Sequence, residues 1–431
     1  MSSLIKWTKQ LLRRAPLTPL KFPTAGFQVV DDSEILEEER FTEFAAGQYY
    51  PVQIGDVYAS KYQVLGKLGF GTTSTVWLAR NLEKHKHVAL KVFTRDGRSA
   101  DEFEIYEKIR KAATSHHPGR HHVRTALDLF TLSRQGSDHQ CLVQMPMWDS
   151  WKDLLRRNSA GRYTEILLKT SLQQLLFALD YLHTECRVVH TDIKADNILH
   201  EIADEQILEA FTTAELETPS RRKFVNGVPV YESRGFDLPK VFGGVVLSDF
   251  GSAVYGDEKR KYDCQPNVYR SPEVMLEMDW SYPIDIWNVG AMIWDVFQDK
   301  HMFYGYDREK KYYTTRAHLA EVIELLGPPP LDLVQRGSRS PEFFTEDGKS
   351  HPLAVPFRVP VIYLFCGAGL GKWKADIPIT EGRRSLEESE ENLEGDNKKE
   401  FLTFMRKMLQ WRPEDRMTAG ELLEDPWLNR Y

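Results

Sequence analysis

The chain has 431 residues, enough for two lobes of ordinary size and too many for one small domain. With 42% hydrophobic and 28% charged residues it can bury a sizeable core, which excludes a collagen-like or wholly disordered chain. A net charge of -7 argues against a general nucleic-acid binder, whose affinity needs a basic surface.

The four cysteines, Cys141, Cys186, Cys264 and Cys366, form no CxxC pair, which argues against a disulfide scaffold or a cysteine-rich zinc site and for a reducing compartment. No apolar run reaches 18 residues, so no membrane span is expected. No signal-peptide apolar region is seen either.

Residues 1–50 read as an extension, basic at first and then acidic. Lys6, Lys9, Arg13, Arg14 and Lys21 precede the first acid, Asp31, and Leu4, Ile5, Trp7, Leu11 and Leu12 could line one face of a short helix. This composition fits, on the one hand, a targeting segment over residues 1–24, mitochondrial in kind, or a membrane-surface helix, and on the other a flexible basic extension. The second reading is preferred, because such composition is a weak signal alone. The acidic run from Asp31 to Glu43 reads as solvated linker.

Strand-like text begins at Tyr62 with YQVLGKLGFG and continues through STVWLARN and HVALKVF. These short β-branched and aromatic runs, broken by turn residues, predict an antiparallel sheet. Within it lies Gly69-Phe70-Gly71-Thr72-Thr73-Ser74. Glycines let a backbone close over phosphates with its N–H groups facing the oxygens. A chance β-turn is the plain alternative, and the motif does not open a helix, so the dinucleotide-fold reading fails.

Lys91, in Val88-Ala89-Leu90-Lys91, lies 20 residues after Gly71. A lysine in an apolar strand is costly to bury unpaired. It either snorkels from an edge or grips phosphate while held by a carboxylate. The following helix carries Glu102, Glu104 and Glu107, and Glu104 is the partner expected.

The texture changes near Met145–Asp149. ILLKTSLQQLLFALDYLHTE, IDIWNVGAMIWDVF, AHLAEVIELLG and KKEFLTFMRKML carry apolar residues at helical spacing. The expected division is a sheet lobe over residues 51–146 and a helical lobe over 147–430, with a ligand cleft between them. Residues 200–243, with Arg221-Arg222-Lys223, read as a mobile insertion, and 381–400 as a mobile charged loop.

The most informative string is His190-Thr191-Asp192-Ile193-Lys194-Ala195-Asp196-Asn197. Phosphoryl transfer needs an oxygen base, a cation for the transferred group and oxygen ligands for Mg²⁺. Asp192, Lys194 and Asn197 supply these within six residues. A plain polar loop is the alternative, disfavoured by the flanking apolar residues. Asp249, in Ser248-Asp249-Phe250-Gly251, follows an apolar strand and would bind the metal. Asp196 reads as surface chemistry.

These strings resemble, in order, the signature set of the protein kinases. Ser271-Pro272-Glu273 resembles the segment closing the activation loop. Asp285-x-Trp287-x-x-Gly290 resembles the helix anchoring the catalytic loop, and Arg416 stands where the family pairs an arginine with Glu273. The resemblance covers residues 51–430. It is closest to the SR-protein kinases of the CMGC group, especially the fungal ones, on YYPVQIGDVYASKYQVLGKLGFGTTSTVWLARN, HTDIKADNIL, VYRSPEV, IELLGPPP and FFTEDGK.

The resemblance implies an α+β bilobal kinase fold: an antiparallel sheet lobe with one main helix, and a mostly helical lobe. It implies ATP and Mg²⁺, transferring phosphate to serines of Arg/Ser-rich proteins. Nucleotide contacts are implied at Leu68, Gly69, Phe70, Gly71, Val76, Ala89, Lys91, Glu104, Met145, Met147 and Asn197. Asn197 and Asp249 would hold the metal, with Asp192 and Lys194 catalytic. It also implies a monomer in cytoplasm or nucleus that contacts no nucleic acid directly.

His190-Thr191-Asp192 lacks the arginine that usually clamps an activation-loop phosphate, which implies activity without that phosphate. Ser74 replaces a third glycine, as the family tolerates. Pro266 replaces a threonine whose hydroxyl would bond the catalytic pair. Pro146 removes one hinge N–H after Gln144. Ala317 stands two turns before Glu324, where relatives place an acid that docks arginine-rich substrate. Pro266 and Ala317 motivate the alternative of a pseudokinase or nucleotide-binding scaffold.

Overall fold

A computed structural model describes residues 15–95, 99–134, 137–345, 373–379 and 385–430. Most of the expected targeting segment, residues 1–14, lies outside the described residues, as do residues 381–384 of the charged loop. The chain divides into two compact units. One comprises the chain up to Arg110, with Arg124–Trp148 and His200–Gly243; the other comprises Lys111–Val123, Asp149–Leu199 and everything from Gly244.

The first unit is built on six antiparallel strands: β1 (Val57–Tyr58), β2 (Tyr62–Phe70), β3 (Ser74–Asn81), β4 (Lys86–Phe93), β5 (Asp128–Arg134) and β6 (Ser137–Gln144). Their order is β1-β2-β3-β4-β6-β5. The helix α1 (Ser99–Ala112) follows β4. Alternation along the strands puts Val64, Trp77, Ala79, Val88, Leu90, Val92, Cys141 and Val143 into one core.

Residues 200–243 correct the sequence reading. They belong to this first unit and not to the helical one, and they fold instead of forming a mobile loop. They form a helix, Gln206–Glu217, and a hairpin of Arg222–Val225 with Val228–Tyr231. The helix lies so close to β2 that a Cβ at Gly66 would stand 2.7 Å from the Phe211 ring. Tyr231 joins the core of the sheet. The basic cluster read as solvated is largely buried: Arg222 pairs with Glu215 at 3.5 Å and Lys223 with Glu39 at 2.9 Å.

The acidic segment is likewise structured. Val30 and Leu36 pack with Val230 of the hairpin. Lys67 of β2, fully buried, is met by Glu37 at 2.7 Å, by Glu38, and by the Tyr231 carbonyl at 2.9 Å. Burial pushes the Glu38 carboxyl above the usual range while Lys67 pulls it down. An unpaired lysine there would be costly, so the acids and the strand need one another.

The second unit is mostly helical, with α2 (Glu165–Tyr181), α3 (Pro283–Gln298), α4 (Thr315–Leu326) and α5 (Gly395–Met408). The apolar stripe of α2, Leu168, Leu172, Leu175, Leu176 and Leu179, is fully buried. Among the described residues of the charged stretch, 385–400, Leu386–Ser389 and the start of α5 are helical, so that part is not a loop. No helix among the described residues is long and apolar enough to cross a membrane.

His318 on α4 is wholly buried, its Nδ1 3.1 Å from the Tyr313 hydroxyl. Burial, with Arg270 nearby, pushes its pKa down to about 3. The unfolded chain takes up that proton near pH 6.5, so this contribution is full above that pH and is lost as pH falls toward 3. About 1 kcal/mol should be gone by pH 5.5. His318→Gln is expected to flatten the urea-midpoint profile between about pH 7 and pH 5. An equally steep profile in the variant would refute the assignment.

Candidate active site

In the first unit, β2 and β3 join through Gly71, Thr72 and Thr73. Lys67 faces Trp77 and Gly69 faces Val76, so Leu68 is an extra residue in β2. Such a bulge re-aims the strand just before the turn. Gly71 N–H donates to the Ser74 carbonyl at 2.8 Å, closing the turn. A Cβ at Gly69 would meet nothing within 4 Å, and one at Gly71 only the Ser74 carbonyl at 4.0 Å. The space beside both glycines is thus open.

On β4, Ala89 and Lys91 are two residues apart and share a face. Lys91 Nζ donates to both Glu102 oxygens, at 2.9 and 3.2 Å. The expected partner Glu104 is corrected to Glu102. Glu104 is exposed, whereas Glu102 is 3% exposed. The reason is helical phase: Glu102 shares a face with Ile105, Tyr106 and Ile109, three, four and seven residues on, and Glu104 does not. That spacing was legible in the sequence and would have found the residue.

Removing the Glu102 charge should weaken the hold on Lys91 and shift it. Glu102→Gln is expected to lower kcat/KM by about 10–100-fold, the range for losing a charge-assisted hydrogen bond. Glu104→Gln should stay within about 2-fold, as for an exposed surface change. Steady-state kinetics with the two variants in parallel decide it. Equal losses would mean that Lys91 is placed by some other group.

At the end of β6, Gln144 Nε2 donates to the Tyr106 hydroxyl at 2.9 Å, tying the strand to α1. Pro146 is buried, and Met145 and Met147 flank it. The Met145 carbonyl, expected to face adenine, accepts from Arg124 Nη2 at 2.9 Å, which leaves its second lone pair.

In the second unit, the carboxylate of Asp192 accepts from Lys194 Nζ at 2.8 and 3.1 Å and from Asn197 Nδ2 at 2.9 Å. Asn197 Nδ2 also donates to the Asp192 carbonyl at 2.8 Å. Both amide protons are therefore used, which identifies Oδ1 as the end able to ligate a cation. The donor set fits Mg²⁺, which takes few carboxylate and carbonyl oxygens from protein.

The backbone here is held in an uncommon shape. Thr191 has φ +67°, a conformation that a β-branched residue rarely adopts. Buried Asp285 of α3 accepts from the N–H groups of His190 and Thr191, each at 2.8 Å, and from His183 Nε2 at 2.9 Å. Thr191 Oγ1 donates to the Ser252 carbonyl at 2.8 Å. Thus the residue that replaces the usual arginine reaches the segment after Asp249 instead.

Asp249 follows the strand Phe242–Leu247 with φ +66° and is exposed, while Phe250 is fully buried against the His190 ring. Ser248 N–H donates to the Asn197 carbonyl at 2.9 Å, and the Ser248 carbonyl lies 3.1 Å from His190 Nε2. These bonds bring Asp192, Lys194, Asn197 and Asp249 into one stitched loop pair. Asp196 is half-exposed and pairs with Lys152 at 2.8 Å, a surface role as read.

Pro266 opens the turn Asn267–Tyr269. Its neighbour Gln265 anchors this segment elsewhere, not to the catalytic pair: its amide nitrogen donates to the Ile284 carbonyl at 2.9 Å and its oxygen accepts from Ser271 N–H at 2.9 Å. Glu273 and Arg416, both fully buried, form the expected pair through two bonds of 2.5 and 2.7 Å.

Residues 62–428 match the protein kinase domain. A serine/threonine protein kinase of Aspergillus fumigatus is 40% identical over 423 residues, covering 97% of each chain. The serine/threonine-protein kinase SRPK of Physarum polycephalum is 30% identical over 415 residues, covering 91% of each. SRSF protein kinase 3 of Mus musculus is 23% identical, covering 96% of this chain and 94% of the other. The ordered motifs, the Lys91–Glu102 pair and the stitched Asp192 loop agree with these matches, and the chain belongs to the protein kinase family as an SR-protein-kinase-like serine/threonine kinase of the CMGC group.

Proposed function

We propose that the chain transfers the γ-phosphoryl group of ATP to serines in Arg/Ser-rich proteins, acting as a monomer. The observation carrying this reading is the Asp192–Lys194–Asn197 cluster, a carboxylate held by a cation and an amide within one loop. Asp192 orients the substrate hydroxyl and accepts its proton as the new O–P bond forms and the bond from the γ-phosphorus to the bridging oxygen breaks, so that ADP leaves. Lys194 neutralises charge on the moving phosphoryl. Lys91, placed by Glu102, holds the α- and β-phosphates, and the turn at Gly69–Thr73 covers them. Asn197 and Asp249 would hold Mg²⁺, which when bound neutralises the phosphate oxygens. Leu68, Val76 and Ala89 would line the adenine, with Met145 C=O and Met147 N–H at its edge.

We also read the enzyme as active without a loop phosphate. The bond from Thr191 to Ser252 supports this, since it anchors the segment after Asp249 with no phosphate needed. Turnover of roughly 1–100 s⁻¹ is the expectation for the class.

A second reading, a serine kinase without preference for arginine, has its own support. Ala317 is buried in the first turn of α4 and cannot supply a charge. Next to it, Arg316 pairs with Asp307 at 2.7 Å and with Glu309 at 2.5 Å, so both acids are already engaged by a cation of this chain. Radiolabelled ATP with an Arg-Ser repeat peptide and an arginine-free serine peptide separates the readings. Transfer to the first peptide alone supports the Arg/Ser assignment. Equal transfer to both supports the second reading. Nucleotide binding with no transfer to either would favour a scaffold.

A further inference from the structure

The N-terminal acidic segment reaches the turn that the kinase reading places over phosphate. Arg40 lies over the Phe70 ring, 5.2 Å from its centre, and the Phe41 ring stands 6.1 Å from the same ring. Phe44 packs on Tyr49 at 5.9 Å. The Tyr49 hydroxyl shares its proton between the Gly71 carbonyl, at 2.6 Å, and the Thr72 carbonyl, at 3.0 Å. Lys67, on the same strand as Phe70, is held from below by Glu37 and Glu38.

We infer that Tyr49 is a positioning residue for nucleotide phosphate, setting the direction of the N–H groups in the glycine turn. A trans peptide points its C=O and N–H to opposite sides. Holding the Gly71 and Thr72 carbonyls toward Tyr49 therefore turns the Thr72 and Thr73 N–H groups away from it. Thr72 and Thr73 are both exposed. The next carbonyl, Thr73, is held by Thr94 N–H at 2.8 Å, so every peptide unit across the turn has a fixed facing. A turn rich in glycine would otherwise sample many orientations, and its N–H groups would have to be ordered when an anion arrives.

Burial together with Glu38 and Glu43 raises the Tyr49 phenol above its ordinary pKa, so it stays a donor at neutral pH. The arrangement makes the acidic segment a strut for the turn. Glu37 and Glu38 dock it on Lys67, Arg40 and Phe41 dock it on Phe70, and Tyr49 delivers the hydrogen bond.

The inference rests on the nucleotide reading above. Its test is calorimetric titration of the full chain with ATP in Mg²⁺ and, separately, with adenosine. Tyr49→Phe keeps the ring and removes only the hydroxyl. It is expected to weaken ATP about 3–10-fold, the range for one hydrogen bond, and to leave adenosine within about 2-fold. Phe41→Leu, which loosens the strut without touching the hydroxyl, should give the same pattern with a smaller loss. A purely structural role would weaken both ligands together or lower the melting temperature, and either result without a selective ATP loss would overturn the proposal. ATP affinity unmoved by Tyr49→Phe would overturn it alone. A wild-type chain that binds no ATP would overturn the nucleotide reading as well.

Discussion

Asp192→Asn is expected to lower turnover by about 10²–10⁴-fold, the usual range for removing a general base, while leaving ATP affinity nearly unchanged. The carboxylate is surrounded by donors: Lys194 Nζ at 2.8 Å and Asn197 Nδ2 at 2.9 Å. An asparagine can still accept from one of them with its single oxygen, so the loop should keep its shape. It cannot take the proton of an incoming hydroxyl. The loss should therefore fall on kcat. Phosphate transfer from ATP by the two proteins, with binding measured alongside, tests it. Full turnover in the variant would remove Asp192 from the reaction.

The second large effect concerns stability. Arg416 and Glu273 are both fully buried and joined by two hydrogen bonds, and Arg416 also donates to the Pro283 carbonyl at 3.0 Å and lies over Trp287. Arg416→Ala would leave the Glu273 carboxylate buried without its cation. The expected cost is about 3–5 kcal/mol, most of it the penalty on the stranded charge. Urea unfolding should show a large fall in midpoint. Adding Glu273→Leu to Arg416→Met should recover much of the loss, because two apolar groups strand nothing. A double variant as unstable as Arg416→Ala would mean that the cost lies in packing and not in charge.

The first expectation comes from a motif whose chemistry is local, whereas Glu273 and Arg416 lie 143 residues apart and were paired only by the family resemblance. Asp192, Lys194 and Asn197 lie within six residues, so their joint purpose can be read from side-chain types alone. The same holds for the glycine turn, for Lys91 in its apolar strand, and for Asp249 after its own. Glu102 is an intermediate case. Both candidate acids were visible, and the helical repeat distinguishes them once Ile105, Tyr106 and Ile109 are taken as the buried face. Choosing Glu104 ignored that phase.

The insertion at 200–243 was misread because its composition is polar, and polarity predicts solvent only when charges have no partners. Arg222 and Lys223 are buried because Glu215 and Glu39 meet them, the latter from far along the chain. The same is true of Glu37 and Glu38, read as linker and found against Lys67. Pro266 supplies no hydroxyl to the catalytic pair, and Gln265 beside it ties the segment to Ile284 and Ser271, distant anchors that the sequence did not reveal.

By itself, then, the sequence determined a strand-rich part followed by a helix-rich part and an ordered set of local motifs, which carry the family resemblance and the fold it implies. Those depend on periodicity and on neighbours close in the chain, which any reader of the sequence can count. Only the tertiary structure decided which acid holds Lys91, how Asp285 sustains the backbone at Thr191, and that the N-terminal segment and the insertion pack onto β2. Each of these pairs residues far apart in sequence. Burial strengthens such pairs and penalises their absence, and no local pattern records which distant partner will arrive.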